Sequence, residues 1–389
     1  MNLKIIKWGI ILSLVFDALN TVLQYYDLPF DRASVFFKAF FEIIIIVLFI
    51  YNRKFGKYYL MIIYFGITFF ISYLLFVLME GDVFNLEPFI ILNKYLYFII
   101  LSFLFIQYSE NEKFVNFISN VFKYYLLFNS AFIILGLLFN IELFSSYFKL
   151  ASQRFGYKGL IPAQNEATGV YFWGLAFFYR RYFVEKSENI WNLIFVTFAS
   201  LLIGTKGIWI SVLFFMAYYL LKYKTRKTVL IGIPSLIAVI SIYGIRIWDT
   251  LYNDYLYYFI HFIERTDMSW YTILLSGRDV KTAISFEYIK DHWTIWNYIF
   301  GGVNLSIANS ETDLVDGYFS LGINFILYLI YYFSLLFKFD KSMDNVLIFL
   351  LYTVLSFTGG HMIYSAIVPL FYLMYIFSYR ISAGRVMFQ

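Results

Sequence analysis

The sequence predicts an all-α polytopic membrane protein. Of its 389 residues, 61% are apolar and only 14% are charged, and the mean hydropathy is +0.71. A soluble domain usually carries about a quarter charged residues, so this composition excludes both an ordinary soluble enzyme and a disordered chain. Apolar runs near the ~20 residues that a helix needs to cross a bilayer recur along most of the chain. We therefore expect about 12 transmembrane helices in a single transmembrane domain over residues 1–389.

The twelve spans follow from the length and spacing of the apolar residues. The first apolar run continues past the length of a signal peptide and has no small-residue cleavage site, so we expect it to remain as the first helix. The seventh and eighth spans are short, and only residues 205–206 connect them. The predicted spans are 5–25, 33–51, 58–79, 89–107, 117–140, 166–183, 190–204, 207–221, 229–246, 314–337, 345–359 and 363–379.

Basic residues orient these helices. Seventeen of the 30 Lys and Arg residues fall in loops and termini that would be cytoplasmic, and ten fall on the outer side. This bias satisfies the positive-inside rule with both termini in the cytoplasm. It also makes the formal net charge of +5 a matter of topology, so no nucleic-acid partner is expected. Two outer loops are long: 141–165, and 247–313 between spans 9 and 10, in which 247–263 and 279–300 are expected to be helices on the membrane surface.

Cations gather in these two outer loops, against the usual sidedness of basic residues. Three lie within 149–158 and five within 246–290. Such a cluster fits a phosphorylated lipid head group, because the planar fork of Arg pairs with phosphate oxygens. The alternative is that long loops simply contain some cations, balanced by nearby carboxylates. The candidates in these loops are Arg154 and Lys158, four residues apart, and Arg278, which follows a turn with Ser276 as the expected N-cap.

A further cation, Lys206, lies in Thr205–Lys206–Gly207, the whole predicted turn between two short spans. A Lys at membrane depth is costly unless it faces a cavity or a counter-ion, which favours a functional role. The alternative is that its side chain reaches the nearby interface.

Acidic and other polar residues stand at two predicted helix starts. Asn165 and Glu166 open the sixth span, where they are either functional or simply an N-cap and a first-turn acid. Glu311, Asp313 and Asp316 precede or open the tenth span. At that spacing we expect their carboxylates on one side of a helix, where they would pair with the cations or orient a sugar. The alternative is a polar helix start at the membrane surface.

One His stands apart from the other two. His361 follows Gly359 and Gly360 in the tight turn between the last two predicted helices. No two His lie at helical metal-ligand spacing, and no EF-hand, P-loop or GxGxxG motif occurs. The chain also lacks Cys, which removes disulfides and Cys-based metal sites. The sequence thus predicts no metal, nucleotide or other cofactor.

Taken in order, these motifs resemble the O-antigen polymerase and O-antigen ligase superfamily of bacterial envelope enzymes. The resemblance covers about residues 150–365, and the N-terminal third matches only as apolar helices. The motifs are Arg-x-Gly with a following Asn (Arg154, Gly156, Asn165), the Thr-Lys-Gly turn (205–207), Ser-Gly-Arg in the large loop (276–278) before Gly301-Gly302 and the acidic helix start (Glu311, Asp313), and Gly-His (Gly360, His361).

The resemblance implies an inverting, metal-independent glycosyl transfer on the outer side of the bacterial plasma membrane, facing the periplasm or the cell exterior. The substrate would be an oligosaccharide linked to undecaprenyl pyrophosphate in the lipid bilayer, and a chain-length regulator is a further partner that such enzymes use. Arg154 and Arg278 would bind the pyrophosphate, with Lys158 and Lys206 as additional ligands. The base would be His361, or Glu166 or Glu311, and Asn165 and Asp313 would contact sugar.

The resemblance leaves several activities open. Many relatives carry Arg where this chain has Lys206, and the short turn at His361 suits a polymerase better than a ligase with a large acceptor. A polymerase of O-antigen, capsule or another surface polysaccharide is therefore favoured over a ligase. A different alternative is a glycosyltransferase that uses a polyprenyl-phosphate sugar and binds a metal at Asp27 and Asp31. A lipid-linked oligosaccharide flippase is also an alternative, although the chain lacks the two similar halves that many transporters have.

Overall fold

Helices form most of the chain that the structure describes. The computed structural model describes residues 3–29, 32–51, 58–80, 85–146, 156–223, 272, 275, 277–303, 309–360 and 362–378. Within those residues there is no β-strand, and one isolated bridge pairs Ser145 with Tyr157. The prediction of an all-α protein is confirmed over this part of the chain.

Most helix bounds lie within a few residues of the predicted spans, but α5 begins five residues before the span predicted at 117–140 and α14 begins five residues after the start of the span predicted at 363–379. A short 3-10 helix, Glu142–Phe144, follows the fifth α-helix. The α-helices of the described residues are α1 Leu3–Tyr25, α2 Ala33–Tyr51, α3 Tyr58–Glu80, α4 Glu87–Tyr108, α5 Glu112–Phe139, α6 Gln164–Phe183, α7 Ile190–Leu201, α8 Lys206–Tyr223, α9 Arg278–His292, α10 Ile295–Phe300, α11 Asp313–Leu321, α12 Asn324–Leu336, α13 Met343–Thr358 and α14 Val368–Ser378.

Five of these helices, α1 to α5, are long and apolar enough to cross a bilayer. The helices α7, α12, α13 and α14 are apolar but shorter, at 10–17 residues. These helices show the membrane character of the chain. The count of twelve spans and their orientation stay predictions, and the ninth span at 229–246 lies outside the described residues, as does the surface helix at 247–263.

Two predicted helices are each divided in the structure. The tenth span is interrupted at Gly322, whose φ of +58° is a conformation that favours glycine. An added Cβ there would lie 2.5 Å from the carbonyl of Ile299, and Asn324 Nδ2 donates to the same carbonyl oxygen at 2.6 Å. The surface helix predicted at 279–300 is likewise split, because Thr294 begins a new helix with a capping box to Asn297.

The chain forms two compact units, Met1–Tyr124 with Arg278–Gln389, and Tyr125–Gly277. In the first unit α4 packs against α2, α3 and α14. Its core contains fully buried aromatic side chains, among them Tyr95, Tyr328, Tyr332 and Tyr372. In the second unit α6, α7 and α8 pack against each other, and α6 is buried over most of its length.

A buried polar network joins the first two helices of the first unit. Lys38 Nζ on α2 lies 2.5 Å from Asp17 Oδ1 on α1, and the hydroxyl of Ser34 donates to the same oxygen. One turn further along α2, Glu42 Oε1 accepts a hydrogen bond from Asn93 Nδ2 on α4 at 3.1 Å. Lys38 is only 5% exposed. Charges at such positions persist in apolar surroundings only when they are paired, so this ion pair fixes how α1 and α2 pack.

Candidate functional site

In the first unit, the start of α9 is bonded to the end of α13. Arg278 is the first residue of α9 and follows Gly277, whose φ of +76° favours glycine. The guanidinium Nη1 of Arg278 donates to the backbone oxygen of Thr358 at 2.5 Å. Thr358 is the last residue of α13, immediately before the Gly-Gly-His turn. Arg278 therefore lies beside the start of that turn, and its role as a phosphate ligand stays a prediction.

One turn later on α9, Lys281 forms an ion pair with Glu311. Both side chains are well exposed, at 47% and 38%. Glu311 lies before α11, has a φ of +56° and donates its backbone N–H to Asn309 Oδ1 at 2.8 Å. The prediction that Glu311 shares one side of a helix with Asp313 and Asp316 is wrong for this reason: Glu311 is outside the helix, and its carboxylate turns toward Lys281.

The two acids of α11 are buried and support neighbouring backbone. Asp313 is fully buried, and its Oδ2 accepts hydrogen bonds from the backbone N–H groups of Met362 at 2.7 Å and Ile363 at 2.8 Å. Asp316, equally buried, uses Oδ1 to accept from the backbone N–H and the hydroxyl of Ser310 at 2.8 and 2.7 Å. The Asp313 carboxylate thus holds the last turn in place, a different task from the sugar contact predicted for it.

The last turn packs directly on the acidic segment. A Cβ added at Gly360 would lie 2.7 Å from the backbone oxygen of Glu311, so only glycine allows this approach. Tyr352 of α13 donates its hydroxyl to the oxygen of Met362 at 2.9 Å. Three segments of the first unit therefore meet: the start of α9, the residues before α11 and the turn after α13. His361 itself lies outside the described residues.

In the second unit, the first long loop meets the turn between α7 and α8. The backbone N–H of Tyr157 donates to the oxygen of Leu202 at 2.9 Å, and Gln164 Nε2 donates to the oxygen of Ile203 at 2.9 Å. Gly156 fits against the same Ile203 oxygen, where an added Cβ would be only 2.6 Å away. Two further motifs of the sequence are thereby brought together, although Arg154 lies outside the described residues.

The helix starts of this unit differ from the prediction by one or two residues. Asn165 is not the N-cap of α6, because the helix begins at Gln164 after the extended Ala163. The turn predicted at 205–207 lies earlier, since Lys206 is already the first residue of α8. The hydroxyl groups of Thr205 and Thr168 share a hydrogen bond of 2.7 Å, whereas Lys206 is exposed.

Lys158 is buried beneath this loop. It is 4% exposed, and its ammonium donates to the backbone oxygen of Pro162. Burial lowers the pKa of Lys158 from its ordinary value to about 8, and the charge of Glu166 in the first turn of α6 partly counteracts that shift. The backbone of Lys158 is held as well, by Phe144 at 2.8 Å and Asn129 at 3.2 Å. The ammonium of Lys158 is bonded to the backbone of its own loop, so the side chain would need to turn outward to reach a phosphate.

Two ion pairs of the structure, Lys281 with Glu311 and Lys38 with Asp17, are not predicted by the sequence analysis. The spacing of three residues between Arg278 and Lys281 places both cations on one side of a helix, and this spacing is visible in the sequence. The pairing of Lys38 with Asp17 had no local signal, because the partners are on different helices. Among the described residues, no group of three His, Asp or Glu side chains is arranged to hold a metal ion.

Comparison with known proteins adds no assignment: no family model, no curated protein and no solved structure matches this chain.

Proposed function

We propose that the chain is a surface-polysaccharide polymerase that joins oligosaccharide repeat units linked to undecaprenyl pyrophosphate. The observation that carries the proposal is the meeting of three motifs in the first unit. Arg278 bonds to the end of α13, Lys281 pairs with Glu311, and Asp313 holds the backbone after His361. These segments are far apart in sequence, and their meeting supports a common site built from a cation, a carboxylate and the turn that carries a His.

The chemistry suits such a site. In an inverting transfer, a hydroxyl oxygen of the acceptor sugar attacks the anomeric carbon of the donor opposite the diphosphate. The bond from that carbon to the diphosphate oxygen breaks, and its electron pair leaves with the undecaprenyl pyrophosphate. A guanidinium such as that of Arg278 stabilises the charge that develops on the leaving oxygen. The resemblance, rather than the structure, implies Arg154 as a further ligand of the diphosphate, with Lys158 and Lys206 in supporting roles.

The hydroxyl proton of the acceptor must pass to a base. We propose His361 for this role, since a neutral imidazole is a suitable general base near neutral pH. Glu311 and Glu166 are the carboxylate alternatives, and Asn165 is proposed to contact sugar. Asp313 we assign to positioning the last turn, because its carboxylate is buried and accepts two backbone N–H groups from that turn.

The reaction would take place on the outer side of the bacterial plasma membrane, where the positive-inside rule puts the two long loops. The product would be O-antigen, capsule or another surface polymer, with a chain-length regulator as a partner. A ligase of the same superfamily is the second candidate. The short connection from Thr358 to Ile363, fixed by Asp313 and Tyr352, favours the polymerase because it adds little surface for a large acceptor.

The polysaccharide profile of a cell that lacks this protein tests the proposal. We expect a single repeat unit on its lipid anchor, because a polymerase is needed to extend it. Full-length polymer that remains unattached to its final acceptor would identify a ligase. An unchanged profile would contradict both.

A further inference from the structure

Lys281 and Glu311 form an exposed ion pair beside the candidate site. Lys281 lies one turn after Arg278 on α9, so both cations project from the same side of that helix. The guanidinium of Arg278 donates to the Thr358 oxygen, and the ammonium of Lys281 donates to the carboxylate of Glu311. The negative charge of that carboxylate therefore lies at Lys281, one of the two cations.

The contact between the Lys281 ammonium and the Glu311 carboxylate is a weak one. Both side chains of the pair are exposed, at 47% and 38%, and exposed ion pairs contribute little to stability because water screens them. The backbone of Glu311, by contrast, is held firmly: its N–H donates to Asn309 Oδ1, and Gly360 packs against its carbonyl. The side chain can therefore leave Lys281 without disturbing the segment that carries it.

We propose that Arg278 and Lys281 form a binding site for a diphosphate group, and that the Glu311 carboxylate occupies Lys281 as an internal anion that the diphosphate displaces. A diphosphate carries more charge than one carboxylate and can contact both cations, so it competes successfully for the ammonium. Displacement leaves the carboxylate of Glu311 next to the turn at Gly360. This inference rests on the proposed function for the identity of the ligand, but the exchange itself is independent of any sugar transfer.

If the diphosphate displaces Glu311, the Glu311→Gln variant should change the affinity for diphosphate in the opposite direction from a variant in which Glu311 only orients Lys281. If Glu311 competes with the ligand, Glu311→Gln should tighten diphosphate binding about two- to fivefold, the equivalent of the exposed pair that no longer has to be broken. If Glu311 instead orients Lys281 for the ligand, the same variant should weaken binding. Lys281→Gln should weaken binding about tenfold or more, since it removes a charged hydrogen-bond donor to the phosphate.

Isothermal titration of the full-length protein in nanodiscs of neutral lipid measures these affinities. The probes are inorganic pyrophosphate and farnesyl pyrophosphate, whose comparison distinguishes a free diphosphate from a lipid head group. Lys290→Gln is the matched control, because Lys290 is an exposed cation on the last turn of the same helix, and its affinity should equal that of the wild type. Lys281→Arg should retain binding.

A double-mutant cycle separates competition from simple repulsion between Glu311 and the ligand. Competition requires that the gain from Glu311→Gln shrink when Lys281 is already Gln. An equal gain in both backgrounds, or a loss of affinity in Glu311→Gln, would overturn the exchange. If the double-mutant cycle gives the predicted coupling but the protein makes no polymer, the exchange stands and the proposed function is refuted. If the protein makes polymer but the cycle gives no coupling, the proposed function stands and the exchange is refuted.

Discussion

Polymer formation is expected to fall at least about a hundredfold when Arg278 is replaced by Ala, while the protein remains in the membrane. The reason is the position of Arg278, whose guanidinium lies at the start of α9 beside the end of α13. Without it, the charge that develops on the departing diphosphate loses a fixed donor. Arg154→Ala should have a comparable effect. The measurement is the length distribution of the surface polymer in cells that carry each variant.

Two further variants make that result interpretable. Arg181→Ala is the matched control: Arg181 lies at the far end of α6, pairs with Glu185 and has no role in the proposed site, so polymer length should be unchanged. Arg278→Lys keeps the charge but loses the planar fork that binds two phosphate oxygens at once. Full chain length with Lys at both 278 and 154 would contradict bidentate binding of the diphosphate.

The largest effect on stability is expected at Lys38. Lys38→Met should lower the free energy of unfolding by about 3–5 kcal/mol, because it leaves the buried carboxylate of Asp17 without the ammonium that contacts it. The double variant Asp17→Asn with Lys38→Met should recover most of this loss, since it removes the buried charge as well. The measurement is reversible unfolding of the purified protein in mixed detergent micelles.

The control for this series is Lys113→Met, an exposed position in the first turn of α5, which should change the unfolding free energy by less than about 0.5 kcal/mol. A Lys38→Met protein as stable as the wild type would show that the Asp17–Lys38 pair does not hold α1 against α2. A double variant no more stable than Lys38→Met would place the loss elsewhere than in the buried charge.

The long apolar helices could be predicted, because each of them depends on a run of apolar residues that is visible locally. The bounds of α1, α2 and α6 differ from their predicted spans by only a few residues. The interruption at Gly322 could not be predicted in the same way. It depends on the carbonyl of Ile299 in another helix, and a single Gly in an apolar run does not reveal such a neighbour.

The candidate site was predictable in its residue types but not in its arrangement. Sequence reasoning identified the motifs around Arg278, Glu311 and the last turn, which do meet in the structure. It could not foresee that Asp313 would accept the amides of Met362 and Ile363, because hydrogen bonds across 49 and 50 residues leave no local pattern. For the same reason it took the three acids as one helix face, whereas Glu311 turns away to Lys281.

The reaction proposed for this protein is a metal-independent glycosyl transfer from a lipid diphosphate. Its most direct test is a reaction of the purified protein with a defined repeat unit on undecaprenyl pyrophosphate, in excess EDTA, followed by separation of the products by length. We expect a ladder of longer glycans on the lipid and release of undecaprenyl pyrophosphate. Glycans that remain one repeat unit long in EDTA but lengthen when a divalent metal is restored, or that never lengthen, would contradict it.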